Sequence, residues 1–172
     1  MSSIEQRNRF KVVLIGDAGV GKSVFVNRHK TGEFEKRYIE TTGAVVTTLK
    51  FQTTSGIITF DIWDCAGQEK FNGRDSEYYR NADAAIVMFD VMSKCTYNSV
   101  PEHYRKFKVA NPSAPVVLCG NKVDANDRRV LPSDIDFHCK EGICYFDISS
   151  KSKYNTEIPF LTLAGKLLTT GK

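Results

Sequence analysis

Residues 16–23 read Gly-Asp-Ala-Gly-Val-Gly-Lys-Ser, a G-x-x-x-x-G-K-S pattern that binds phosphate. The glycines reach backbone angles closed to other residues and let the chain approach a phosphate. The main-chain N–H groups of Asp17, Ala18, Gly19, Val20 and Gly21 then form an anion cradle at a helix N-terminus. Lys22 brings a positive charge to the terminal phosphates, and the Ser23 hydroxyl can ligate Mg²⁺. Read blandly, the same residues are a Gly-rich turn before a helix. The flanks argue against that: an apolar run, Phe10 to Ile15, broken only by Lys11, precedes the loop, and Val24-Phe25-Val26 follows it.

Three further segments fall just after apolar runs. In Asp64-Cys65-Ala66-Gly67, the Asp64 carboxylate can hold Mg²⁺ through water, and the Gly67 N–H can donate to a terminal phosphate. In Asn121-Lys122-Val123-Asp124, the Asp124 carboxylate can accept two N–H donors side by side. Guanine offers such a pair in its N1–H and exocyclic amine, and adenine does not. A mismatched base would leave a buried carboxylate unpaired, so discrimination should be large. The Lys122 stem can lie along the base, and a backbone N–H from Ser149-Ser150-Lys151 can donate to the guanine O6. Each segment alone is ordinary turn chemistry. All of them in this order, each at a strand end, form a nucleotide site.

The elements that must position these residues are readable in outline. Strands are expected over Phe10–Ile15, Ala44–Gln52, Ile57–Trp63, Ala82–Val91, Pro115–Gly120 and Ile143–Ile148. Thr53-Thr54-Ser55-Gly56 makes a hairpin of the second and third. Helices are expected over Val24–Lys30, Tyr97–Val109, Pro132–Lys140 and Ile158–Leu168, with Pro101 tolerable in a first turn. Glu33 to Gly43 reads as an irregular loop, and Glu69 to Arg80 shows no clear periodicity. Strands alternating with helices imply an α/β fold, a mostly parallel six-stranded sheet with helices on both faces. In such a sheet the ligand lies at the carboxyl ends of the strands.

Composition bounds the rest. A length of 172 residues fits one domain, here residues 9–172 after a polar lead-in, 1–8. With 41% hydrophobic and 26% charged residues, a globular core is expected. No apolar run reaches membrane-spanning length, and the N-terminus is not a signal peptide. Five cysteines without metal-like spacing read as free thiols. A net charge of +4 is a mild bias and does not argue direct nucleic-acid binding.

With these segments in view, the chain resembles the Ras-like small GTPases over nearly its whole length, and one branch, the Ran nuclear-transport GTPases, most closely. The residues carrying that resemblance are Thr31 to Lys36, Trp63 to Phe71, Met88 to Val91, Leu118 to Asp124, Tyr154-Asn155 and Pro159-Phe160-Leu161. The resemblance implies a monomeric P-loop GTPase that binds GTP or GDP with Mg²⁺ and turns over slowly without an activating partner. It implies that Thr41 binds Mg²⁺ and senses the γ-phosphate, with Thr42 the alternative one residue on. Gln68 orients the attacking water, and Phe34 packs against the guanine. Loss of the γ-phosphate frees the segments bearing Thr41 and Gly67, so Lys36, Arg37, Tyr38, Lys70 and Phe71 present different partner surfaces in the two states. The implied partners are importin-β-type karyopherins, a guanine-nucleotide exchange factor and a GTPase-activating protein that orders the glutamine. The implied location is nucleus and cytoplasm.

The sequence also departs from that pattern. Ala18 stands where Ran and Ras have glycine, which predicts slower hydrolysis through crowding of the water and Gln68. Asn72 to Glu77 differs from the usual Ran segment. His138-Cys139-Lys140-Glu141 replaces a run of basic residues. An acidic tail and a C-terminal Cys motif are not in the sequence, so no lipid anchor is expected from it. Two rival readings follow from these departures. One is a nucleotide-binding scaffold with very slow hydrolysis, and the other a Rab-like or lineage-specific GTPase of vesicle traffic.

Overall fold

The computed structural model describes residues 8–29, 35–39, 43–65 and 75–170. β1 (Arg9–Ile15) runs into α1 (Lys22–Asn27). β2 (Glu35–Ile39), β3 (Ala44–Thr53) and β4 (Gly56–Asp64) follow, then α2 (Asp75–Tyr79) and β5 (Ala84–Asp90). Next come α3 (Lys94–Asn98), α4 (Val100–Ala110) and β6 (Val116–Asn121). A 3-10 turn (Pro132–Asp134), α5 (Phe137–Glu141), β7 (Cys144–Asp147) and α6 (Ile158–Thr170) complete the order. All seven strands join one sheet, ordered β2-β3-β4-β1-β5-β6-β7. β1 pairs in parallel with β4 and β5, as β5 does with β6 and β6 with β7. The β2–β3 and β3–β4 pairings are antiparallel. The mostly parallel sheet expected from the sequence is therefore present, with β1 at its centre.

β1 and β5 explain why the sheet is covered on both faces. Val12–Ile15 of β1 and Ala84–Phe89 of β5 are apolar without alternation, the pattern of a strand buried on both sides. Val12, Leu14, Ala84, Ile86 and Met88 point into one core, which α1 and α6 close with Phe25, Val26, Phe160 and Leu163. Val13, Ile15, Ala85, Val87 and Phe89 point into the other, with Phe107, Leu118, Val130 and Ile135. Phe25 and Phe160 stack with ring centroids 5.2 Å apart, and His29 meets Phe160 edge-on at 4.8 Å. Both phenylalanines are fully buried, each worth about 1.5–3 kcal/mol in apolar burial. Together they fasten α1, and with it the loop before α1, to the C-terminal helix.

Three local readings of the sequence need correction. The six expected strands are joined by a seventh, β2, inside the stretch read as irregular loop. Glu35 to Ile39 lie against Thr48 to Ala44, so the outer edge of β3 is paired rather than left open. The helix expected over Tyr97–Val109 is two helices meeting at Ser99. Pro101 has no N–H to give the carbonyl of Tyr97, and the second helix restarts with that proline in its first turn. The stretch Pro132–Lys140 is likewise a 3-10 turn and a separate short helix, because Asp134 folds back to accept the Leu131 N–H at 3.0 Å. A short helix, α2, occupies part of the segment without periodicity. All five cysteines are free. Among the described residues no helix is long and apolar enough to cross a membrane.

Candidate functional site

The loop between β1 and α1 lies at the carboxyl end of the central strand, where an open parallel sheet places its ligand. Its glycines are dictated by neighbours as much as by dihedral angles. Gly21 has φ +99°, and a Cβ there would collide with the Asn121 amide. A Cβ on Gly16 would run into the Met88 carbonyl on β5. Lys22 is buried, and its Nζ donates to the carbonyls of Gly16 at 2.6 Å and Asp17 at 3.0 Å. The ammonium is thus held over the loop it belongs to. Ala18 and Gly19 are exposed at the loop's crest, and Val20 is fully buried beneath it.

Ser23 and Asp64 meet at the base of the loop. The Ser23 hydroxyl donates to Asp64 Oδ2 at 2.5 Å. Asp64 is 7% exposed, and its Oδ1 has no hydrogen-bond partner among the described residues. A buried carboxylate oxygen left without a partner is costly. Beside it lies a cavity of about 90 Å³ lined by Ser23, Val26, Asn27, Gly43, Val45, Thr47 and Asp64. A hydroxyl and an unsatisfied carboxylate on a small cavity form the oxygen donor set that a hard cation such as Mg²⁺ takes. The residues present therefore fit the metal.

The base-reading segment lies around a larger cavity of about 570 Å³. Gly21, Val24, Met92, Asn121, Lys122, Asp124 and Lys151 are among the residues lining it. Asn121, 1% exposed, is its joint. The Asn121 amide donates to the Val20 carbonyl at 2.9 Å, and its oxygen accepts from the main-chain N–H groups of Lys122 at 2.8 Å and Ser150 at 3.0 Å. Lys122 Nζ donates to the Gly19 carbonyl at 2.8 Å and to Asp90 Oδ2 at 2.6 Å. The Ser149 hydroxyl donates to Asp124 Oδ1 at 2.7 Å, which aims the carboxylate without exhausting its acceptor capacity. Ser149 is fully buried and does not itself line the cavity.

A second tier of contacts braces the two base segments. Arg128 grips Asp147 through two hydrogen bonds of 2.9 and 3.0 Å, and the Tyr145 hydroxyl donates to the same carboxylate. Burial pushes the Asp147 carboxyl up, but the hydrogen bonds from Arg128 and Tyr145 and the Arg128 charge outweigh it. The group is held below the usual carboxylate range. This bracket ties the stretch after Asp124 to the end of β7, immediately before Ser149 and Ser150.

The fold thus brings together Asp17 to Ser23, Asp64, Asn121, Lys122, Asp124, Ser149, Ser150 and Lys151. Arg37, on β2, is exposed and lies 3.8 Å from Asp61. Lys36 and Tyr38 are also on β2, but their side chains, with Phe34, Thr41, Gly67, Gln68, Lys70 and Phe71, lie outside the described residues. Sequence reasoning gave no role to Asp90, Met92 or His103. Asp90 could have been noticed, since it ends a buried strand as the other site segments do.

The arrangement amounts to a phosphate loop, a cation corner and a base pocket with a carboxylate on its rim. The Ras family model matches residues 11–169. The chain belongs to the Ras family of small GTPases, guanine-nucleotide switches that hydrolyse GTP and typically bind the nucleotide with Mg²⁺.

Proposed function

We propose that this GTPase acts as a Ran-type switch, present in nucleus and cytoplasm, that directs nucleocytoplasmic transport by binding importin-β-type karyopherins in its GTP state. Within that reading the loop N–H groups from Asp17 to Gly21 and the ammonium of Lys22 bind the phosphates. Asp124 reads the guanine edge. Ser150's N–H is engaged by Asn121, so the donor to O6 falls to Lys151. Ser23 and Asp64, with Thr41, would hold Mg²⁺, which supplies positive charge to the phosphates when bound. Gln68 orients the attacking water, and Gly67 donates to the γ-phosphate. Phe34 packs on the base. An exchange factor and an activating protein, which Ras-family GTPases generally bind, set the two states.

The observation that carries the transport reading is the spread of Ran-like segments over both halves of the chain, from Thr31–Lys36 to Pro159–Leu161. One structural feature bears on partner choice. In α5, Lys140 is paired with Asp136 at 2.6 Å and His138 packs on Tyr145, so this helix does not present a basic run. The test is retention on an immobilised importin-β-type receptor after loading with GDP or a non-hydrolysable GTP analogue. Retention in the GTP state alone supports the proposal. Absence of retention in both states, with tight nucleotide binding, removes the transport role and favours vesicle-traffic partners.

A further inference from the structure

Besides Asp64 on Ser23, three side chains among the described residues reach the backbone or side chains of the phosphate loop from other elements. Two of them, Asn121 on the Val20 carbonyl and Lys122 on the Gly19 carbonyl, come from the base-reading segment. The third is His103, on α4. Its Nε2 lies 2.7 Å from Asp17 Oδ1. An ionised carboxylate only accepts, so the imidazole N–H is the donor. The His103 and Asp17 side chains are 19% and 31% exposed, so the contact is shielded from water on most sides.

Asp17 is also the residue whose main-chain oxygen, with that of Gly16, holds Lys22 Nζ. A force applied at the Asp17 carboxylate therefore acts on the part of the loop that carries the phosphate-binding ammonium. α4 is itself firmly seated. Phe107 is fully buried, and its ring meets Tyr79 of α2 edge-on at 5.7 Å. At the helix's end, Asn111 Nδ2 donates to the Tyr79 carbonyl at 2.7 Å. His103 thus transmits the position of a well-anchored helix to the leading half of the loop, just as Asn121 and Lys122 fix its trailing half.

We propose that His103 is a positioning residue of the nucleotide site: through Asp17 it holds the leading half of the phosphate loop in its binding conformation and so slows nucleotide release. The proposal rests on reading residues 16–23 as the phosphate site, and it adds a residue that no motif contains. The hydrogen bond is charge-assisted, a class roughly twice as strong as neutral pairs. Its loss should therefore speed GDP release about tenfold, the factor that corresponds to about 1.4 kcal/mol.

The experiment measures release of fluorescently labelled GDP from the full chain carrying His103→Ala, His103→Phe, His103→Gln, Asp17→Ala, or His103→Ala with Asp17→Ala. Expected are faster release for both His103→Ala and His103→Phe, near-normal release for His103→Gln, whose amide N–H can reach the same place, and a double variant no faster than Asp17→Ala alone. Recovery by phenylalanine but not glutamine would mean that His103 merely fills space, and the proposal falls. Additive effects in the double variant would also overturn it, because the two side chains would then act independently. Failure of the unaltered chain to bind labelled GDP would instead remove the phosphate-site reading itself, whereas normal binding with unchanged release in every variant would overturn the role of His103 alone.

Discussion

Replacing Asn121 by alanine should damage nucleotide binding more than its single lost side chain suggests. The residue touches no phosphate in the reading above, yet it joins the loop to both base segments. Truncation removes the partner of the Val20 carbonyl and of the Ser150 and Lys122 N–H groups. Lys122 is half-buried and water can meet its N–H, whereas Val20 and Ser150 are 0% and 3% exposed. Only the latter two are counted. At about 1 kcal/mol each, the net loss is about 2 kcal/mol. In the nucleotide-bound chain of 172 residues that lowers Tm by about 4–8 °C.

The same groups lie in the parts of the loop and base pocket that a bound nucleotide must hold still. In the free protein the loop can relax and recover some hydrogen bonds with water. The penalty is therefore felt mainly in the bound state, and about 2 kcal/mol corresponds to roughly a thirtyfold rise in the GDP Kd. Titration with labelled GDP and a melting curve with and without nucleotide measure both quantities. Asn121→Asp sharpens the test. It keeps an acceptor for Ser150 but sets a carboxylate against the Val20 carbonyl, so it should bind no better than the alanine variant. If Asn121→Ala binds GDP within about threefold of the unaltered chain and melts within about 2 °C of it, the joint is not what holds these segments together.

Other expectations follow from single contacts. Asp124→Asn should cut GDP affinity by about three orders of magnitude or more, since the amide presents a donor to a guanine donor. Ser149→Ala, which only releases the aimed carboxylate, should cost about tenfold, and competition titrations separate the two. Ala18→Gly should raise the single-turnover rate of GTP hydrolysis; an unchanged rate would show that the Ala18 methyl does not crowd the water. The Asp147 bracket should give an acid-dependent component of stability. Because its carboxyl is held below the ordinary value, the unfolded chain binds more protons between the two pKa values, and stability rises with pH there. The contribution is complete above the ordinary carboxylate range, near pH 4, and is lost as pH falls through the depressed folded value. Arg128→Gln should thus lower Tm at pH 7, by about 2–4 °C, and the gap should narrow as pH falls below the ordinary carboxylate range.

What could be read from the sequence was the chemistry that tolerates no substitute. Only glycine fits at Gly21 against Asn121, and only a carboxylate gives Asp124 its paired acceptor, so those positions announce themselves. The buried strands were readable because β1 and β5 carry apolar side chains on both faces. β2 was not, since Glu35-Lys36-Arg37-Tyr38-Ile39 has no apolar alternation and is a strand because β3 lies beside it. The break at Ser99 was half visible: Pro101 was recognised as a first-turn residue, but the short helix in front of it was not. His103 lies beyond such reading altogether. It reaches a residue 86 positions away, and nothing in the local pattern of α4 marks it out.

That distant contact bears on how a loop of this kind can be both pliable and precise. Gly16, Gly19 and Gly21 give the chain access to a phosphate, and they remove the side chains that would otherwise fix its shape. Shape must then come from outside. His103 supplies it from α4, and Asn121 and Lys122 from the end of β6, while Ser23 is fixed by Asp64 at the end of β4. The bound conformation of the loop is consequently linked to the placement of three separate elements. Anything that shifts one of them raises the free energy of the nucleotide-bound loop and must, by linkage, weaken the nucleotide. An exchange factor therefore need not enter the phosphate cradle. Displacing α4 by the ångström or so that breaks a 2.7 Å hydrogen bond would loosen the loop from its leading end.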